Sequence, residues 1–275
     1  MHLPIKTLFV SLLGASVLAR PLPNDALVER NAPLNEFLSV LLSHLPAING
    51  SITAVSGLIT DFDQLLADIT GAQTTLNGFT GACTDYTVLF ARGTSEPGNV
   101  GVLVGPPLAE AFEGAVGASA LSFQGVNGYS ASVEGYLAGG EAAGSKAMAS
   151  QASDILSKCP DTKLVMSGYS QGCQIVHNAV EQLPAEHASK ISSVLLFGDP
   201  CTSNSKLGIF LMHEYTNRSI DKGKALPNVD ASRVHTVCHA GDTICENSVI
   251  ILPAHLTYAV DVASAADFAV AAAKN

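Results

Sequence analysis

Lys163-Leu164-Val165-Met166-Ser167-Gly168-Tyr169-Ser170-Gln171-Gly172-Cys173-Gln174-Ile175-Val176 is the stretch on which the reading of this chain turns. It opens on a short apolar run, residues 164–166, and turns at Gly-Tyr-Ser-Gln-Gly. It resumes with Cys173, Ile175, Val176, Ala179 and Val180 at helical spacing. A G-x-S-x-G sequence between a strand and a helix is the setting of a nucleophile elbow, which lifts the serine hydroxyl to the carboxyl edge of a parallel sheet. Gly168 and Gly172 leave the room that a Cβ would take. The N–H of Gln171 then opens the helix, where a developing oxyanion is favoured. With 24 glycines in the chain the bare pattern is weak; the flanking strand and helix give it weight.

Outward from the elbow, strands and helices alternate. A buried strand over 86–91 leaves through Arg92-Gly93-Thr94-Ser95-Glu96-Pro97-Gly98-Asn99. A helix is expected over 102–115, started near Pro106-Pro107, then a strand over 118–123. A Gly-rich loop over 125–144 precedes a helix over 145–158. Beyond the elbow helix come a strand over 191–197, a long loop over 199–232, a strand over 234–237 and a last helix over 263–273. This order predicts an α/β fold, a five-stranded parallel sheet with helices on both faces. In front of it, Leu34, Phe37, Leu38, Leu41, Leu42 and Leu45 recur at helical spacing. So do Ile52, Val55, Leu58, Ile59, Phe62, Leu65, Leu66 and Ile69. Two amphipathic helices joined around 46–50 form an N-terminal helical extension. No chemistry shows in them, so they are expected to cap one side of the core rather than to cover a site.

The chain of 275 residues has room for one such domain, assigned to residues 81–275, and an extension. Hydrophobic residues make up 47% and charged residues 14%, enough for a large core. A net charge of -10 without a basic stripe argues against nucleic acid and against anionic lipid as partners. Residues 1–19 read as a signal peptide: His2 and Lys6, an apolar run over 8–18, and small residues before a cut after Ala19. That run is too short to span a bilayer, and no later stretch is long enough. Residues 20–80 are assigned to a pro-segment and the helical extension. A secreted, monomeric protein is expected, and six cysteines suit that compartment. No cysteine spacing matches a zinc site, so neither metal nor cofactor is expected. Asn49-Gly50-Ser51 and Asn217-Arg218-Ser219 are glycosylation acceptors.

An elbow serine needs a base and an acid to orient it, and in α/β-hydrolases these follow in the order acid, then His. Asp242 lies just past the last strand, and His255 is the histidine that follows it. His255 would take the Ser170 proton, and Asp242 would hold the imidazole tautomer. Asp199, after the strand beside the elbow, is the alternative acid. His239 reads as a solvated loop residue, His177 as a packed or surface histidine and Tyr169 as a packing residue. His213 and His235 have no supporting context. Thr94 is the natural second oxyanion donor beside Gln171.

Together, the 91–99 loop, Gly168-Tyr169-Ser170-Gln171-Gly172, Gly241-Asp242 between two cysteines, and His255-Leu256-Thr257-Tyr258 resemble the fungal cutinases. These share a carbohydrate-esterase group with acetylxylan esterases. The resemblance covers residues 83 to about 270 and implies a small α/β-hydrolase acting on cutin, a polyester, and on short-chain esters. It places the nucleophile at Ser170, the acid at Asp242, the base at His255 and oxyanion donors at Thr94 and Gln171. Cutinases usually brace the first donor with an Asn of the Gly-rich loop; here Glu134, Tyr136 and Glu141 occupy that region and no Asn is obvious. Val133, Leu137, Val249 and Ile251 are expected to form an apolar slot for the acyl chain. The family pairs Cys83 with Cys159, and Cys238–Cys245 would close a tight loop around Asp242. Cys173 and Cys201 are within reach of each other, but six cysteines allow 15 pairings. Two other readings stay open: an acetyl-specific esterase on polysaccharide, and a surface-binding or elicitor protein with an idle triad.

Overall fold

In the strand Tyr86–Ala91, Val88 and Phe90 enter one hydrophobic core while Leu89 and Ala91 enter another. The strand Lys163–Tyr169 divides Val165 and Tyr169 from Leu164 and Met166 in the same way. In Ile191–Phe197, Leu195 and Phe197 stand opposite Val194 and Leu196. Successive side chains of a strand point to opposite faces, so a sheet that is apolar on both must be covered on both.

The computed structural model describes residues 49–201 and 225–274. The expected signal peptide and pro-segment, the first amphipathic helix, His213 and Asn217 lie outside them. In chain order the described elements begin with β1 (Gly50–Ser51), α1 (Ile52–Thr70), β2 (Tyr86–Ala91), α2 (Gly105–Val116) and β3 (Leu121–Gly125). Next come α3 (Val133–Leu137), α4 (Ala142–Lys158), β4 (Lys163–Tyr169), α5 (Gln171–Gln182), α6 (Ala185–Ser189) and β5 (Ile191–Phe197). Last are β6 (Val234–Val237), β7 (Ile250–Ile251) and α7 (Val262–Ala272). The main sheet runs β3-β2-β4-β5-β6, parallel throughout. Leu108 and Phe112 of α2, Ala265 and Ala269 of α7, and Ile59 and Leu66 of α1 pack on one face. Met148 and Ile155 of α4 and Ile175, Val176 and Ala179 of α5 pack on the other. This is the expected α/β-hydrolase architecture, with β4 and its elbow at the centre.

Several boundaries move. The Gly-rich loop holds a short helix, α3, whose Ser132 cap accepts the Gly135 N–H, and α4 begins at Ala142 instead of 145. The strand expected from 118 starts at Leu121, after a 3-10 turn over Ala118–Ala120. A two-stranded antiparallel sheet joins Gly50 to Ile251 and Ser51 to Ile250. It ties the start of α1 to the segment that leads into His255. Among the described residues no helix is long and apolar enough to cross a membrane.

Candidate active site

Ser170 sits between β4 and α5 at φ 55° and ψ -120°, a left-handed conformation that L-residues rarely adopt. The turn is held from both sides by close packing. A Cβ on Gly172 would stand 2.0 Å from the Ala91 carbonyl oxygen, and one on Gly168 would stand 2.4 Å from the Gly172 backbone. Backbone is what each would strike, so no rotamer change can relieve it. Gly172→Ala is therefore expected to cost about 3 kcal/mol, the upper range for overpacking. It should also lower esterase turnover, and thermal unfolding with a rate assay checks both.

The three side chains singled out from the sequence meet at this edge. His255 Nε2 lies 2.9 Å from Ser170 Oγ, and His255 Nδ1 lies 2.8 Å from Asp242 Oδ2. His255 belongs to the 3-10 turn Pro253–Leu256, and Asp242 caps the turn Thr243–Glu246 by accepting the Ile244 N–H at 2.9 Å. The Cys238–Cys245 disulfide brackets that carboxylate, as expected. Burial works against the Asp242 charge, but the His255 contact, the Tyr258 hydroxyl and the Ile244 N–H outweigh it and lower its pKa. Tyr169, expected only to pack, also donates its hydroxyl to the His255 carbonyl at 2.8 Å and stacks on the imidazole at 5.2 Å.

Gln171 is the first residue of α5, so its N–H has no intrahelical acceptor. Its side chain braces the first donor against the Gly-rich loop. Gln171 Nε2 donates to Thr94 Oγ1 at 2.9 Å and to the Ser132 carbonyl at 2.8 Å, which holds the two expected oxyanion donors side by side. Sequence reasoning missed the residues beneath the Thr94 loop. Glu96 is buried, and its carboxylate collects the N–H groups of Gly93, Val102 and Leu103 at 2.7, 3.0 and 3.0 Å. Arg92 donates to the carbonyls of Glu96, Tyr129 and Ser130. The Arg-Gly-Thr-Ser-Glu run was visible, but these partners come from other loops.

A cavity of about 10 Å³ adjoins Ser170, lined among others by Ile59, Thr94, Leu103, Ile251, His255 and Leu256. That is room for about one water molecule and none for an acyl chain. Of the expected slot only Ile251 lines it; Val133, Leu137 and Val249 are half-buried and pack against the core instead. α1 stands beside the serine. Ile59 reaches the cavity, and Thr60 Oγ1 lies 3.3 Å from the Ser95 carbonyl of the oxyanion loop. The expectation that this helix merely caps the core is thereby corrected. Its apolar residues also divide: Ile52, Ile59 and Leu66 face inward, while Leu58, Leu65 and Ile69 are 57%, 54% and 59% exposed. Asp63, 0% exposed, faces inward with them.

Asp199, the alternative acid, meets His177 Nε2 at 2.9 Å and not His255. Burial opposes the charge on His177, but Asp199 prevails and raises its pKa. His239 is no solvated loop residue: its ring nitrogens lie 2.9 Å from Thr257 Oγ1 and 2.6 Å from Asp261 Oδ2. His235 stacks on Phe268. Cys83–Cys159 forms as expected. A Cys173–Cys201 bridge does not: Cys173 is a buried thiol whose Sγ lies 3.1 Å from the Gly168 carbonyl and 3.3 Å from that of Phe197. Among the described residues, potential metal-ligating atoms of His177, Asp199 and Cys201 come within 4.8 Å of one another. His177 and Asp199 already satisfy each other there as an ion pair.

The family model described as Cutinase matches residues 82–273. Cutinase pbc1 of Pyrenopeziza brassicae is 45% identical over 223 residues, 81% of this chain and 98% of that protein. A cutinase of Hypocrea jecorina is 43% identical over 265 residues, 96% of each chain. The solved structure of a Trichoderma reesei cutinase in complex with a phosphonate inhibitor superposes with a TM-score of 0.68 at 42% identity, covering 88% of this chain and 99% of that one. An acetylxylan esterase structure, 21% identical with a TM-score of 0.52 over 69% of this chain and 99% of its own, shares the fold alone.

Proposed function

The chain belongs to the cutinase family and is a carboxylic ester hydrolase, and from that premise we propose that it cleaves cutin and short-chain esters through an acyl-enzyme at Ser170. The observation that carries this reading is the unbroken line from Asp242 through His255 to Ser170 Oγ, at 2.8 and 2.9 Å. His255 Nε2 takes the hydroxyl proton as Oγ attacks the ester carbonyl. The oxyanion forms against the N–H groups of Thr94 and Gln171, which need not reorganise because Gln171 Nε2 and Glu96 already hold that loop. His255 returns the proton to the departing alcohol, and a water activated by the same nitrogen releases the acid.

The apolar surroundings of the serine, Ile59, Leu103, Ile251 and Leu256, suit an acyl chain longer than acetyl, which needs more room than the cavity holds with α1 in this position. Secretion is supported by the leader-like residues 1–19 and by two disulfides in the domain. Hydrolysis rates on p-nitrophenyl acetate, butyrate and palmitate, with release of hydroxy fatty acids from cutin, test the substrate assignment. Activity sustained beyond acetate is expected. A steep fall after acetate, with no release from cutin, would contradict it and favour an acetyl-specific esterase.

A further inference from the structure

The Tyr258 hydroxyl donates to Asp242 Oδ2 at 2.5 Å, the same oxygen that lies 2.8 Å from His255 Nδ1. Two donors thus compete for the electron density of one carboxylate oxygen. The phenol is fully buried, and its direction is set from behind. Its oxygen accepts the His239 N–H at 3.1 Å, which leaves its own proton for Asp242. The His239 imidazole lies flat on the ring, 4.2 Å between centroids at 25°. Asp261 and Thr257 hold that imidazole in turn, at 2.6 and 2.9 Å. A second His–Asp pair therefore stands behind the phenol and fixes it.

We infer that Tyr258 is a positioning residue of this esterase, its phenol aligning the Asp242 carboxylate with His255 and drawing off part of its charge. This rests on reading Ser170, His255 and Asp242 as the proton relay. The hydroxyl is equipped for the task over the whole working pH range. Burial first, then the neighbouring Asp242 charge, raises its pKa, so it stays a donor. Other titratable groups facing the relay are Tyr169 from β4, Cys173 from α5 and Tyr136 from α3, each kept neutral chiefly by burial. Glu96, which lines the cavity at Ser170, and Asp63 of α1 face Tyr169, Asp199 faces Cys173 and Tyr136, and His239 and Asp261 stand behind the phenol, while Cys245 is tied up in its disulfide.

Removing the phenol proton returns the full carboxylate charge to the imidazole, which then keeps a proton to higher pH. It also leaves the carboxylate held by the Ile244 N–H and His255 without the third contact. For Tyr258→Phe, assayed on p-nitrophenyl butyrate, kcat should fall about tenfold, the effect of losing one hydrogen bond to a charged group. KM should hold, since Tyr258 does not line the cavity at Ser170. The acid limb of the kcat/KM profile should move up by about half a pH unit. Replacing Tyr258 by 3-fluorotyrosine, a more acidic phenol of nearly the same size, should move that limb the other way. It provides the reading even if Tyr258→Phe folds poorly, which thermal unfolding detects. A purely structural tyrosine would move neither limb. Unmoved limbs in both variants, with Ser170→Ala inactive, overturn the inference and leave the relay standing. Full turnover in Ser170→Ala overturns the relay itself.

Discussion

Ser170→Ala is expected to reduce kcat by a factor on the order of a thousand to a million while leaving the protein folded. The size follows from what remains. Gln171, Thr94 and His255 would still stand in place, but without Oγ no nucleophile is fixed beside His255 Nε2 and no acyl-enzyme can form. Residual hydrolysis would come from water attacking an ester carbonyl that the oxyanion donors still polarise. Folding should not suffer, because alanine at φ 55° is no more strained than serine, and among the described residues the removed hydroxyl bonds only to His255. His255→Ala should cost about as much, and the double variant little more than either single one. Groups that act as a unit are non-additive. Rates on p-nitrophenyl butyrate, normalised to folded protein by calorimetry, give the comparison. Losses in the two single variants that multiply in the double variant would mean two independent contributions and would sink the relay.

That the relay could be read from the chain at all has a local cause. The elbow is written in contiguous residues: an apolar run, two glycines where a Cβ would meet backbone at 2.0 and 2.4 Å, then a helical period. Asp242 and His255 lie 13 residues apart on consecutive turns, and only their order after the serine was needed. Glu96 and Arg92 were visible as letters, but their work depends on the loops at 102–103 and 129–130, which only the fold brings near. His239 looked like a loop residue because its partners, Thr257 and Asp261, lie 18 and 22 residues on. Cys173 and Cys201 satisfied reach, but reach alone does not orient two sulfurs, and the Cys173 thiol turns to carbonyls instead. In α1 the period was right and the face was not. Apolar residues at 52, 55, 58, 59, 62, 65, 66 and 69 wrap too far around the helix to say which arc faces inward.

Asp63 sits on the arc that does face inward, and it is expected to make the hold of α1 on the site depend on pH. Both of its carboxylate oxygens are buried without a hydrogen-bond partner. Burial first, and the charge of Glu96 second, raise its pKa well above the ordinary carboxylate range. Glu96 is raised by burial too, but three backbone N–H groups and Arg92 favour its charged form. Asp63 has no such support, so it is the member of the pair that keeps a proton. Below the ordinary carboxylate range Asp63 is neutral whether α1 is seated or released, and the seated state loses nothing. As pH rises past that range the released helix gives up the proton while the seated one retains it, so seating weakens steadily until the buried group ionises as well. Leucine has nearly the shape of a protonated Asp, and an unpartnered buried carboxyl can be replaced by such a group at little cost. Asp63→Leu should therefore match the parent near pH 4 and unfold about 5 °C higher near pH 8. Amide exchange over residues 52–70, corrected for its intrinsic pH dependence, should quicken in the parent between those pH values and stay level in the variant. Parallel behaviour of the two proteins across the range would show that Asp63 does not govern the helix. A quickening that persists in Asp63→Leu would move the titrating group to Glu96, the other carboxyl of the pair.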